Sequence, residues 1–113
     1  MKEQEELNLK FYKKMGPFNE LGYILDSSNA SGNYKRLNIL QFLAKEVIVY
    51  LIDTINLIQN NQPYDPSFLN SAEEFSVFDV KFVFPYFWID GHETIHMNNL
   101  KLLLMEWLEF RAS

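Results

Sequence analysis

The residues best suited to chemistry form a short cluster, His92-Glu93-Thr94-Ile95-His96. Two histidines four apart with a glutamate beside the first match a known catalytic arrangement. On an α-helix, that spacing turns both imidazoles to one face, where they can share a zinc ion while the glutamate activates a metal-bound water. A third ligand would then come from a carboxylate on the following helix, and Glu106 and Glu109 are available. On a β-strand the same residues do something else, because alternation sends Glu93 to the face opposite His92 and His96. Asp90-Gly91 stands directly before the cluster and supplies the positive φ angles of a tight hairpin turn, which favours the strand. The metal pair His92 and His96 is therefore kept as the alternative reading, and no cofactor is expected.

The five residues resemble the zincin metalloprotease signature, which implies a zinc hydrolase with His92 and His96 as ligands and Glu93 as base. The chain continues Met97-Asn98-Asn99 and has no third histidine, so the longer metzincin pattern is absent. Other catalytic sets are weaker. Ser27, Ser28 and Ser31 lie in a polar stretch without a nucleophile elbow. Gly16, Gly22, Gly32 and Gly91 are isolated, so there is no phosphate-cradling loop or dinucleotide fingerprint. Only Arg36 and Arg111 could clamp a phosphate bidentately. Glu73, Glu74 and Asp79 are candidate acid/base carboxylates, but surface carboxylates are common. The reading is of a non-enzyme with no catalytic residues.

Composition narrows the class. The chain has 113 residues, the size of one domain (1–113), with 48% hydrophobic and 16% aromatic residues, which is enough for a core without staples. The absence of cysteine excludes disulfides and thiolate metal sites. The longest apolar run, Val47–Ile52, is too short to span a bilayer, and the glutamate-rich N-terminus is not a secretory signal. A cytoplasmic protein with no membrane contact is expected. Residues 1–45 carry seven basic and five acidic side chains, and residues 46–113 carry three and ten, for an overall charge of −5. An acidic C-terminal part repels nucleic acid and steers a basic protein partner. No basic stripe interleaves with aromatics, so no nucleic-acid binding is expected.

The elements that must position these residues follow from periodicity. Leu7, Phe11 and Met15 at i, i+4 and i+8 predict a helix over Glu5–Met15, stopped by Gly16-Pro17. Phe18, Leu21 and Leu25 predict a second short helix, and Asp26–Asn33 a loop. Arg36–Gln59 reads as a long central helix contacted on several sides, since most of its circumference is apolar. Asn60–Asn70, with two prolines, is a connection. From Phe75 the period becomes two: Phe75, Val77, Asp79, Lys81 and Val83 alternate with Ser76, Phe78, Val80, Phe82 and Phe84, and the second set is assigned to the core. Pro85 ends that strand or places it at an edge. A hairpin then joins Tyr86–Ile89 to His92–Met97 through a two-residue turn. Asn98 or Asn99 caps a last helix, Leu100–Arg111, which buries Leu100, Leu103, Leu104, Trp107 and Leu108. The fold class is α+β: N-terminal helices with a long central helix, a small antiparallel sheet with a hairpin, and a closing C-terminal helix.

The aromatic density around the hairpin is the remaining functional signal. Tyr86 and Trp88 alternate with Phe87 and Ile89, so one pair faces outward. Aromatics ringed by Asp79, Asp90 and Glu93, with Glu73 and Glu74 nearby, have the composition of a protein-binding hot spot. The hairpin FPYFWIDGHETIHM and the helix NNLKLLLMEWLEF, about a quarter of the chain, resemble the immunity proteins of bacterial toxin–immunity systems, including contact-dependent inhibition. That resemblance implies a module that binds and blocks a cognate, basic, nuclease-type toxin domain. A phage- or island-encoded inhibitor of a host enzyme fits the same features, and the oligomeric state is left open.

Overall fold

The computed structural model describes residues 5–30, 34–67, 80–89 and 93–112. It is a mixture of helix and strand with small antiparallel sheets. In order, the described elements are strands β1 (Lys10–Met15) and β2 (Leu21–Asp26), a 3-10 helix (Lys35–Phe42), helix α1 (Lys45–Gln59), strands β3 (Val80–Val83), β4 (Tyr86–Ile89) and β5 (Glu93–His96), and helix α2 (Met97–Ala112).

Glu5 and Glu6 are helical, but the rest of the N-terminal helices expected from Leu7, Phe11, Met15 and Phe18, Leu21, Leu25 is instead one antiparallel hairpin, β1–β2. Only Phe11 and Leu25 of these six sit in strands and in the core, and they are directly opposite each other in register. Leu7 is buried ahead of β1, and Met15, Phe18 and Leu21 are exposed. A helical stripe would have buried all of them on one side. Gly16-Pro17 does interrupt the chain as expected, but as a turn. The Asn19 N–H bonds to the Gly16 carbonyl at 3.1 Å and the Gly16 N–H to the Glu20 carbonyl at 2.7 Å. Pro17 thus takes the second position of the turn, where its fixed φ fits, and Asn19 adopts the left-handed φ of 62° that closes it.

The expected continuous helix over Arg36–Gln59 is two helices, divided at Leu43 and Ala44, whose backbones are extended. The first is 3-10 because its leucines are three apart. Leu37 and Leu40, with Leu43 just beyond, fall on one face of a three-residue turn, and all three are buried. Helix α1 buries Ile48, Leu51, Thr54, Ile55 and Ile58 along one stripe. Val49, Tyr50 and Leu57 are exposed, so it is covered on one side and not on several. The Asn61 backbone ends it with a φ of 58°, while the Asn61 N–H bonds to the Ile58 carbonyl and the Gln62 N–H to that of Leu57. These are the two bonds of a left-handed C-terminal cap.

The second sheet is an antiparallel meander, β3–β4–β5. Phe82, Phe87 and Ile95 form one cross-strand row, and Val80, Ile89 and Glu93 another. Ile89 pairs with Glu93, and the two-residue turn expected at Asp90-Gly91 lies outside the described residues. The turn between β3 and β4 contains the cis Phe84–Pro85 peptide bond. Phe84, assigned to the core from its parity, sits in that turn and is 66% exposed, because strand alternation stops at Val83.

Helix α2 closes the core with Met97, Leu100, Leu103, Leu104 and Trp107. It lies against α1, where the Lys101 ammonium donates to Asn56 Oδ1 at 3.1 Å and Gln59 Oε1 at 2.8 Å. The β1–β2 hairpin is fixed to α2 by rings: Phe11 meets Trp107 edge-on at 5.0 Å, and Tyr23 meets Phe110 at 5.8 Å. Arg111 donates to the Leu43 carbonyl at 3.0 Å, tying the end of α2 to the break before α1. No helix among the described residues is long and apolar enough to cross a membrane.

Candidate functional site

The candidate site is the face of β3–β4–β5 turned away from the core. Alternation puts Phe87 and Ile89 of β4 in the core, both essentially inaccessible, and leaves Tyr86 and Trp88 on the other side. The two outer rows are Lys81, Trp88, Thr94 and Val83, Tyr86, His96. Tyr86 is 44% exposed, and Trp88 is half-buried beneath its neighbours. Lys81 Nζ lies 5.2 Å from the centre of the Trp88 ring, a cation–π contact that covers part of the indole. Tyr86 meets the imidazole of His96 edge-on at 5.8 Å. The result is an aromatic stripe held on a sheet whose back is anchored in the core.

The predicted acidic rim is only partly accounted for. Glu73, Glu74, Asp79 and Asp90 lie outside the described residues, as does His92. Glu93 is in the row of Ile89, one row away from Trp88 and three from Tyr86. Among the described side chains, the charge beside Trp88 is positive, from Lys81. The sequence pattern alone leaves Lys81, Val83 and His96 out of the binding face. Period-two pairing carries the signal for all three once the register to Trp88 and Tyr86 is known.

Of the histidine cluster, the described part, Glu93–His96, is a strand and not the helix that zinc binding by this spacing requires, and His92 lies outside the described residues. His96 instead serves the backbone beside it. Its Nδ1 accepts the Asn98 N–H at 3.1 Å and so caps α2, which begins at Met97. This replaces the expected Asn98 or Asn99 cap. It also puts Glu106 and Glu109 on the helix that His96 starts, roughly 15 and 20 Å along its axis. Among the described residues, no group of three or more His, Asp or Glu side chains is arranged to hold a metal.

The two described serines, Ser27 and Ser28, make local hydrogen bonds. Ser27 is buried and its hydroxyl donates to the Lys35 carbonyl. Ser28 donates its N–H to Asp26 Oδ1 at 2.9 Å. The Ser28 backbone and hydroxyl bonds, helped by Lys10 across the strand, hold the Asp26 carboxyl below its ordinary value. Ser67 does the same to Asp65. Ser31 lies outside the described residues.

Comparison with protein-family models, curated proteins and solved structures finds no significant match to this chain.

Proposed function

We propose that this chain is a protein-binding module of the immunity type. It acts in the cytoplasm and occludes a basic, nuclease-type toxin domain through the outer face of β3–β4–β5. The observation that carries the reading is the outward presentation of Tyr86 and Trp88 from a strand whose alternate residues, Phe87 and Ile89, are buried. An antiparallel sheet with one buried face ordinarily exposes polar side chains on the other. Two aromatics there, one of them covered by Lys81, have the make-up of interface anchors. Rigid aromatic anchors lose little entropy when they are covered.

The acidic residues are assigned the steering role. Asp79 and Asp90 adjoin Val80 and Ile89 in sequence, Glu93 opens β5, and Glu73 and Glu74 lie just upstream. Their charge accelerates encounter with a basic partner, and the aromatics slow dissociation. Lys81 is the exception to this charge pattern, and it is held over Trp88.

The test is titration calorimetry between the purified chain and the toxin domain encoded beside its gene. Trp88→Ala and Tyr86→Ala should each weaken binding by about tenfold or more while the thermal midpoint stays near that of the parent. Asp79→Asn and Asp90→Asn should lower the association rate and its salt dependence. Wild-type affinity in both aromatic variants would remove this face from the interface.

A further inference from the structure

Residues three apart eclipse one another on a 3-10 helix, so Lys35–Phe42 has three distinct faces. Leu37 and Leu40 fill the core with one of them, and Lys35, Asn38 and Gln41 share another. That polar face borders a cleft of about 500 Å³ whose other wall is Tyr12, Ile24 and Asp26 of the β1–β2 hairpin. Tyr12 and Ile24 are a cross-strand pair, on the side of the hairpin opposite the core pair Phe11 and Leu25. We propose that this cleft is a binding site for a neutral pyranose sugar. Its volume lies within the range of small-molecule sites.

The two walls are fixed to each other at both ends. The Ser27 hydroxyl donates to the Lys35 carbonyl where the helix begins, and the Leu25 N–H donates to Gln41 Oε1 at 3.4 Å near where it ends. With its oxygen engaged, Gln41 keeps its amide NH2 as a donor. Asp26 is held in turn, because its Oδ1 accepts the Ser28 N–H at 2.9 Å. A cleft formed before its ligand arrives spends little binding energy on ordering its own walls.

The mixture of groups selects the ligand. Lys35 can only donate, the Asp26 carboxylate can only accept, and Asn38 does both. An anion in the cleft meets Asp26 and a cation meets Lys35, so neither sign is favoured. Lys10, opposite Asp26 in register, is not part of the lining and acts on that carboxylate. Among the described lining residues there is one cation and no guanidinium to clamp a phosphate, and one carboxylate, too few for a metal. Lys35, Asn38 and Gln41 are spread along about 12 Å of the helix axis, with Asp26 facing them across the cleft. Such a lining suits a ligand that is polar around its whole rim, which a nucleobase or an amino acid is not. Ring hydroxyls both donate and accept, and the C–H face of a sugar suits the Tyr12 ring and Ile24.

The experiment follows backbone amide shifts by NMR while the full chain is titrated with the methyl glycosides of glucose, galactose, mannose and N-acetylglucosamine. Glycine, adenosine and inorganic phosphate serve as comparison ligands. At least one neutral glycoside should shift the Leu25, Asp26, Asn38 and Gln41 amides saturably, and the comparison ligands should not. Asn38→Ala and Tyr12→Ala should each weaken binding by about fivefold or more with little change in melting temperature, since both side chains are exposed. Gln41→Glu keeps an acceptor for the Leu25 N–H and loses the NH2 donor, so it should weaken sugar binding while the fold is retained. Trp88→Ala should leave it intact, which separates this site from the sheet face. The proposal is overturned if no glycoside gives saturable shifts at tens of millimolar, or if Asn38→Ala and Tyr12→Ala both bind like the parent. Tighter binding of glycine, adenosine or phosphate in the cleft overturns it as well.

Discussion

His96 closes strand β5 and, through Nδ1, accepts the N–H of Asn98 at 3.1 Å, so one imidazole ends the sheet and starts the last helix. The adjoining backbone is held as well, because the Met97 N–H bonds to the Pro85 carbonyl at 2.9 Å. No loop separates β5 from α2. The face carrying Tyr86 and His96 is therefore rigidly connected to the helix that fills the core.

Loss of this cap should be measurable. His96→Ala is expected to destabilise the protein by about 1 kcal/mol in urea unfolding, and His96→Asn, which offers an acceptor at the same position, to restore most of it. Equal losses in both variants would mean that the Tyr86 contact, and not the cap, is what matters.

Trp107 is fully buried against Phe11 and Phe110, and its indole Nε1–H has no hydrogen-bond partner among the described residues. Its contribution therefore comes from the ring's volume and is reduced by an unsatisfied donor. Trp107→Ala should cost about 3–5 kcal/mol, and Trp107→Phe well under half of that, since it keeps most of the ring and removes the donor. Comparable losses on denaturant unfolding would show that the indole N–H is in fact satisfied.

Asn61 holds the left-handed cap of α1 at a φ of 58°. Glycine adopts that conformation without penalty, and a β-branched residue does so only with strain. Asn61→Gly should leave thermal stability unchanged or slightly raised, and Asn61→Val should lower it by about 1 kcal/mol or more. The ranking Gly ≥ Asn > Val is the result to look for.

Asp26 has its carboxyl lowered by the Ser28 backbone and hydroxyl bonds. A folded value below the unfolded one means that the group favours the native state above the ordinary carboxylate range, and that this contribution fades as the carboxylate takes up its proton in acid. The stability difference between wild type and Asp26→Asn should thus be present at neutral pH and shrink below the ordinary carboxylate value. Ser28→Ala should flatten the same part of the pH–stability curve. Asp26 is only partly covered, at the end of β2, so the effect is small, and a difference that persists unchanged into acid would contradict the assignment.

How much was legible in the sequence depends on how many residues each element buries. In α2, five buried residues within one helical stripe made the helix readable, and only its start was misplaced, because an imidazole took the capping role usually given to Asn. In β3 and β4, alternation separated Phe82, Phe87 and Ile89 from Lys81, Tyr86 and Trp88. Which pair of β4 met solvent was decided by packing, when Phe87 met Phe82 and Ile95.

The sequence by itself determined the mixed helix-and-strand character, the two-residue period around Tyr86–Ile89, the closing helix and the interruption at Gly16-Pro17. Tertiary structure decided the rest. The N-terminal segments each put one strand residue, Phe11 or Leu25, into the core, so local periodicity could not tell strand from helix. Their pairing to each other and to Trp107, nearly a hundred residues from Phe11, chose the hairpin. The break at Leu43-Ala44 has no proline or glycine to announce it. It coincides with leucines three apart and with a carbonyl that Arg111 reaches from the far end of the chain. Where an element's burial is supplied by distant partners, its form belongs to the fold and not to the segment.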